Sequence, residues 1–168
     1  MPTVIIKRAL AACLALAVAL AASAATAAAP TTERVYLSGK GPADATSWDF
    51  TVTGGRRAGE KATILVPSNW EQHGFGTYSY GQQGAPRADE HGLYTLKFTP
   101  AADLAGKRVR LVFEGVMSDA TVKVNGVLAG PTHHGSFFRF NYDVTTLLKL
   151  GEENILEVDV AKESANFR

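Results

Sequence analysis

Apolar residues recur at every second position along much of this chain. "SWDFTVTGG" sets Trp48, Phe50 and Val52 on one side before Gly54-Gly55. "GLYTLKFTP" sets Tyr94, Leu96 and Phe98 on one face and Thr95 and Lys97 on the other. The same spacing aligns Val109, Leu111 and Phe113, then Val122 and Val124, then Phe138, Phe140, Tyr142 and Val144. In "NILEVDV" it aligns Leu156, Val158 and Val160, with Glu157 and Asp159 outward. Period two is the mark of a strand with one buried face. Several such strands divided by turns predict an all-β antiparallel sandwich or barrel. Phe113, Val124, Phe140 and Val158 are expected to meet in its core.

The turn residues agree. Asn125-Gly126 suits a tight hairpin, because both tolerate positive φ. "LKLGEEN" turns at Gly151 before the last strand. "DVTTLLK" predicts a single helical turn capped by Asp143 or Thr145. Residues 82–90 form the most loop-like internal stretch.

One segment breaks the pattern. "VPSNWEQHGFGTYSYG", Val66 to Gly81, carries Trp70, His73, Phe75, Tyr78 and Tyr80 among glycines. Tyr and Trp can stack on a sugar ring while their polar tips bond its hydroxyls. The candidate carbohydrate contacts are therefore Tyr78, Tyr80 and His73, with Asn69, Glu71 and Gln72 as polar neighbours. Trp70 and Phe75 are expected to pack over the sandwich instead.

The first 30 residues behave differently. Lys7 and Arg8 precede an apolar run and the small-residue stretch "SAATAAAP". This is the layout of a secretory signal peptide, and the run is short for a membrane span of ~20 residues. Cleavage after Ala27 is expected, with a cut after Ala25 or an uncleaved anchor as the alternatives, leaving a domain over residues 28–168 and no membrane segment in the cleaved, exported protein. The destination is periplasmic or extracellular. Cys13, in "LAAC", is the alternative as a lipoprotein site, but too few apolar residues precede it. Otherwise it leaves with the signal, and the mature chain has no cysteine for a disulfide or thiolate chemistry.

Loss of Lys7 and Arg8 takes the formal charge from +1 to −1. The remaining charges are mixed, which gives no electrostatic case for nucleic acid. His133-His134 suggests a metal, but strand neighbours face opposite ways and no ligand set accompanies them. No metal or other cofactor is expected. Glu71, Asp89, Glu90, Glu114 and Asp119 include no pair singled out by spacing for glycoside hydrolysis. They read as surface acids, and no catalytic residue is assigned.

The ordered set V-P-S-N-W, F-E-G-V, V-N-G, G-x-F and D-V-T resembles the N-terminal domain of family 2 glycoside hydrolases, the β-galactosidase and β-glucuronidase family. The resemblance covers roughly residues 33–164. It implies a galactose-binding-like jelly roll, followed in the family by an immunoglobulin-like domain and a (β/α)₈ barrel that carries two catalytic glutamates. A barrel needs ~200 residues or more, so those roles do not transfer to this chain's glutamates. Tyr78-Ser79-Tyr80 stands where better-known members supply a sugar-contacting asparagine. The family's closing strand has no counterpart after Val160, which implies an incomplete sandwich with an unpaired edge. The expected function is a non-catalytic sugar-binding domain of an exported, β-galactosidase-like hydrolase. The alternatives are a free-standing secreted carbohydrate-binding module and a purely structural docking domain.

Overall fold

The computed structural model describes residues 31–77 and 89–164. The chain divides into two units, Met1–Val35 and Tyr36–Arg168. In the first, the described residues 31–35 are exposed and without regular secondary structure. The expected signal segment lies outside the described residues, as does nearly all of the loop over 82–90. All described strands belong to the second unit.

These strands are β1 (Thr46–Gly54), β2 (Lys61–Val66), β3 (His91–Phe98), β4 (Arg110–Phe113), β5 (Asp119–Val124), β6 (Val127–Leu128), β7 (His133–His134), β8 (Phe140–Asp143) and β9 (Asn154–Ala161). Helical structure among the described residues is limited to short 3-10 turns, including Trp70–His73. No helix there is long and apolar enough to cross a membrane. The larger sheet runs β2-β1-β3-β9-β5-β6, with β7 also pairing β5, and β4 and β8 form a second sheet. All pairs are antiparallel. The all-β, galactose-binding-like sandwich is therefore the fold.

The alternating segments bury the faces that their pattern predicts. Trp48, Phe50 and Val52 of β1, Val122 and Val124 of β5, and Leu156, Val158 and Val160 of β9 form the core with Ile64. Glu157 and Asp159 point away from it. Asn125 (φ 53°) and Gly126 (φ 79°) make the hairpin turn between β5 and β6. The Asn125 side chain also serves the neighbouring turn. Its amide donates to Leu147 O and Asn154 Oδ1, and its oxygen accepts from Ile155 N.

Two expectations need correction. Phe138 is 69% exposed, because β8 begins only at Phe140 and the preceding residues form a loop. Phe113 and Phe140 are half-buried and stacked on each other at 4.7 Å. Val124 and Val158 are buried as expected, but a two-stranded sheet is too narrow to enclose both faces of its aromatics. The segment 143–149 makes the expected single turn, with Leu147 N donating to Val144 O at 2.9 Å and Asp143 as its cap. Asp143 Oδ1 accepts from both Thr145 N and Thr145 Oγ1, while Asn154 Oδ1 accepts from Lys149 N.

Candidate functional site

The aromatic segment leaves β2 at Val66 and folds back across the inner face of the larger sheet. The 3-10 turn at Trp70–His73 ends at Gly74, whose φ of 83° suits glycine. Trp70 (6% exposed) and Phe75 (7%) enter the core. Phe50 of β1 meets Trp70 at 5.6 Å, Phe75 at 5.2 Å and Tyr94 at 4.9 Å between ring centroids. Tilted contacts of this kind suit the aromatic quadrupole. Gly92 of β3 makes room for them, since a Cβ there would lie 2.4 Å from both Phe50 and Trp70. From the β1–β2 turn, Arg57 donates to Gly74 O and lies over the Phe75 ring. Trp70 and Phe75 thus pack, as expected.

The three candidate sugar contacts are placed unequally. His73 is half-buried and its Nε2 lies 2.9 Å from Ser68 Oγ. Tyr78 and Tyr80 lie outside the described residues. Asn69 and Gln72 are exposed beside His73.

Glu71 turns inward, against its reading as a surface acid. Its Oε1 lies 3.1 Å from Lys162 Nζ, and Glu90 Oε2 lies 2.9 Å from the same nitrogen. Lys162 also donates to Thr77 O. Lys162 is 2% exposed and Glu90 is buried too. Burial alone would lower the Lys162 pKa. Hydrogen bonds and charge from Glu90 and Glu71 outweigh it, and the pKa ends above the ordinary lysine value. Nearby, Tyr94 is held well above the ordinary phenol range, first by burial and then by the Glu71 charge.

This cluster was missed in the sequence, yet it leaves a signal there. Positions 90, 92, 94 and 96 share the inward parity of β3. Positions 156, 158, 160 and 162 share that of β9. An acid and a lysine on inward positions of neighbouring strands call for each other, because a lone buried charge is costly.

The other acids fall elsewhere. Glu114 is exposed and pairs with Arg139 at 3.0 Å. Asp119 is buried, a third departure from the surface reading after Glu71 and Glu90, and lies 3.0 Å from His134 Nδ1. His133 stacks on Phe140 at 3.9 Å, so one imidazole packs and the other stays exposed. Among the described residues no cluster of three or more His, Cys, Asp and Glu side chains is placed to hold a metal. Glu71 and Glu90 are brought together on one lysine. Both spend their charge on Lys162 inside the fold, whereas a hydrolytic pair must flank a sugar bond.

The family model described as "Glycosyl hydrolase 2 galactose-binding domain-like" matches residues 85–168, half of the chain. A β-glucuronidase of Formosa agariphila is 43% identical over 67 residues, 40% of this chain and 7% of that protein. A β-galactosidase of Bacteroides ovatus is 39% identical over 69 residues, 41% of this chain and 8% of that protein. The solved β-glucuronidase of Faecalibacterium prausnitzii superposes with a TM-score of 0.54 at 26% identity, over 79% of this chain and 22% of that one. The chain thus spans under a tenth of the length of these two curated relatives. It belongs to the galactose-binding-like domain family of the family 2 glycoside hydrolases.

Proposed function

We propose that this chain is the non-catalytic, sugar-facing N-terminal domain of an exported β-glycoside hydrolase, β-galactosidase-like in substrate. The observation that carries the reading is one of size. The region similar to the curated relatives is 7–8% of their length, and 168 residues cannot hold a (β/α)₈ barrel of ~200 or more. In the full-length protein the partners are a downstream immunoglobulin-like domain and the barrel. The charged start, apolar run and small residues before residue 30 support export to the periplasm or beyond.

Sugar contact is assigned to the stretch from His73 to Gly81, with Tyr78 and Tyr80 as stacking rings. The exposed Asn69 and Gln72 next to His73 support this. A β-glucuronoside is the second reading, favoured by the 43% identity to the Formosa agariphila enzyme.

The experiment combines chromogenic β-galactoside and β-glucuronide assays with NMR titration of the tyrosine rings by galactose and glucuronate. No turnover is expected, with shifts that saturate only at millimolar sugar or above. Reproducible turnover would overturn the non-catalytic reading. Micromolar binding would favour a free-standing module. No shift at high concentration would favour a docking domain.

A further inference from the structure

Lys162 gathers acceptors from both sides of the β2–β3 connection. Glu71 and Thr77 lie on its early side, and Glu90 lies at its end, directly before β3. An ammonium has three N–H donors, and these three groups surround it. The strand register produces half of the arrangement. Gly92 pairs with Val160, so position 90 falls opposite position 162, and Lys162 N donates to Glu90 O at 3.0 Å. The other half comes from the 3-10 turn, which carries Glu71 to the same nitrogen. Glycines complete the fit. A Cβ on Gly76 would lie 3.1 Å from Glu90 Oε2, and one on Gly55 would lie 2.7 Å from Glu90 Cγ.

We infer that Lys162 is a latch that fixes the segment from Trp70 to Thr77 to the end of β9, a positional role separable from the stability of the sheet. The separation has a physical basis. Replacing a whole buried ion cluster with neutral groups often leaves stability intact, whereas removing one partner strands the other charges. The sheet already holds itself through the β3–β9 and β1–β3 ladders. The Trp70–Phe75 segment belongs to neither ladder. Among the described residues its fixed points are the aromatic cluster, Arg57, Lys162 and the contact of His73 with Ser68. The latch acts on that segment whether or not it meets a sugar, so its test does not depend on the proposed ligand.

The test is residue-resolved hydrogen exchange on the full chain, with K162M and with K162M/E71Q/E90Q. The reporters are the amides of Gln72, Gly74 and Phe75, which donate to Asn69 O, Glu71 O and Trp70 O. Strand amides of β1 and β3 are the reference. In K162M, exchange at the reporters should rise at least ~tenfold relative to the reference. In the triple variant, which strands no charge, the urea midpoint should return toward wild type while the reporters stay fast. If the triple variant restores reporter protection as well, the cluster only avoids charge burial and the latch is refuted. A uniform rise across reporters and reference in K162M, or no change, refutes it too. If K162M does not fold, the triple variant alone decides.

Discussion

One large sheet carries two covers built in different ways. Over β1 and β3 lies an irregular segment, residues 67–77, whose Trp70 and Phe75 are almost wholly buried. Over the β5 side lies the narrow β4–β8 sheet, which reaches its neighbours through Phe140 on His133 and Tyr142 against Gly130. The aromatics of this second cover stay half-buried, and Phe137 and Phe138 beside it are 85% and 69% exposed. A regular strand pair is easy to form, but its side chains are confined to one pleated row. An irregular segment can aim rings from several directions at one point. Here it does so at Phe50, and the ion cluster at Lys162 ties it down. Regularity and burial are thus distinct properties, and in this fold the less regular cover is the drier one.

The largest effect should separate the two covers directly. Trp70→Ala removes a buried ring that contacts β1 and β3, and should cost ~3–5 kcal/mol. That is much of the ~5–15 kcal/mol typical of a domain. Phe140→Ala removes a half-buried ring stacked between Phe113 and His133, and should cost only ~1–2 kcal/mol. Lys123→Ala, on the outward face of β5, serves as a near-neutral control. Urea denaturation of the three variants decides the matter. Equal losses for Trp70 and Phe140 would mean that the two covers bury alike, and the comparison would fail.

A smaller effect sharpens the same contrast through two glycines. A Cβ on Gly92 would lie 2.4 Å from the Phe50 and Trp70 rings, and one on Gly130 would lie 2.5 Å from the Tyr142 ring. The clashes are equal on paper, but the neighbours are not equally free. Phe50 and Trp70 are enclosed by other core rings and cannot retreat. Tyr142 is half-buried and can swing toward solvent, with loss of its hydrogen bond to Pro131 O. Gly92→Ala should therefore cost ~1–3 kcal/mol, as overpacked cores do. Gly130→Ala should cost less, about the ~1 kcal/mol of one hydrogen bond. Thermal melts of the pair would check the order, and a reversed order would place the tighter packing on the wrong side of the molecule.

The legibility of the sequence follows the same division. In β1, β5 and β9 one face is buried, so period two marks it and the core residues can be named from the pattern. The pattern overreached at Phe138. Its parity matches Phe140, but Gly135 at φ 126° lies in the loop ahead of the strand, and parity has no meaning before pairing begins. Packing of Trp70 and Phe75 was legible from their position beside a strand end, although their common target Phe50 was not. The ion cluster is hidden because its members, Glu71, Glu90 and Lys162, stand far apart along the chain. Continuing the parity of β3 and β9 by one step would have exposed Glu90 and Lys162 as an inward pair. Glu71 would still have escaped, since a 3-10 turn gives no comparable period. The site itself was the least legible part. His73 is tied to Ser68 by a contact that no strand period announces, and Tyr78 and Tyr80 lie outside the described residues.

The smallest expected effect probes how the second cover is anchored at its far end. Asp143 ends β8 and is exposed, yet its carboxyl is held below the ordinary range. Hydrogen bonds from the Thr145 hydroxyl and then the Thr145 amide are the main causes, with Arg108 and Arg110 adding charge attraction. A carboxylate whose pKa is lower folded than unfolded favours the fold. That contribution is complete above the unfolded value and disappears as pH falls through the folded one. The wild type should therefore lose stability as acid is added, from the ordinary carboxylate range downward. Asp143→Asn keeps an oxygen to accept from Thr145 but cannot titrate. Its stability should start slightly lower at neutral pH and decline less over that acid window, so that the two curves converge. Urea midpoints measured from neutral pH down to about pH 2 would show it. Parallel curves would mean that Thr145 holds the acid and the amide equally, and that the turn closing β8 rests on shape and not on charge. The first cover, whose anchor is the buried Lys162, should show no such change from Asp143→Asn in the exchange of its Gln72, Gly74 and Phe75 amides.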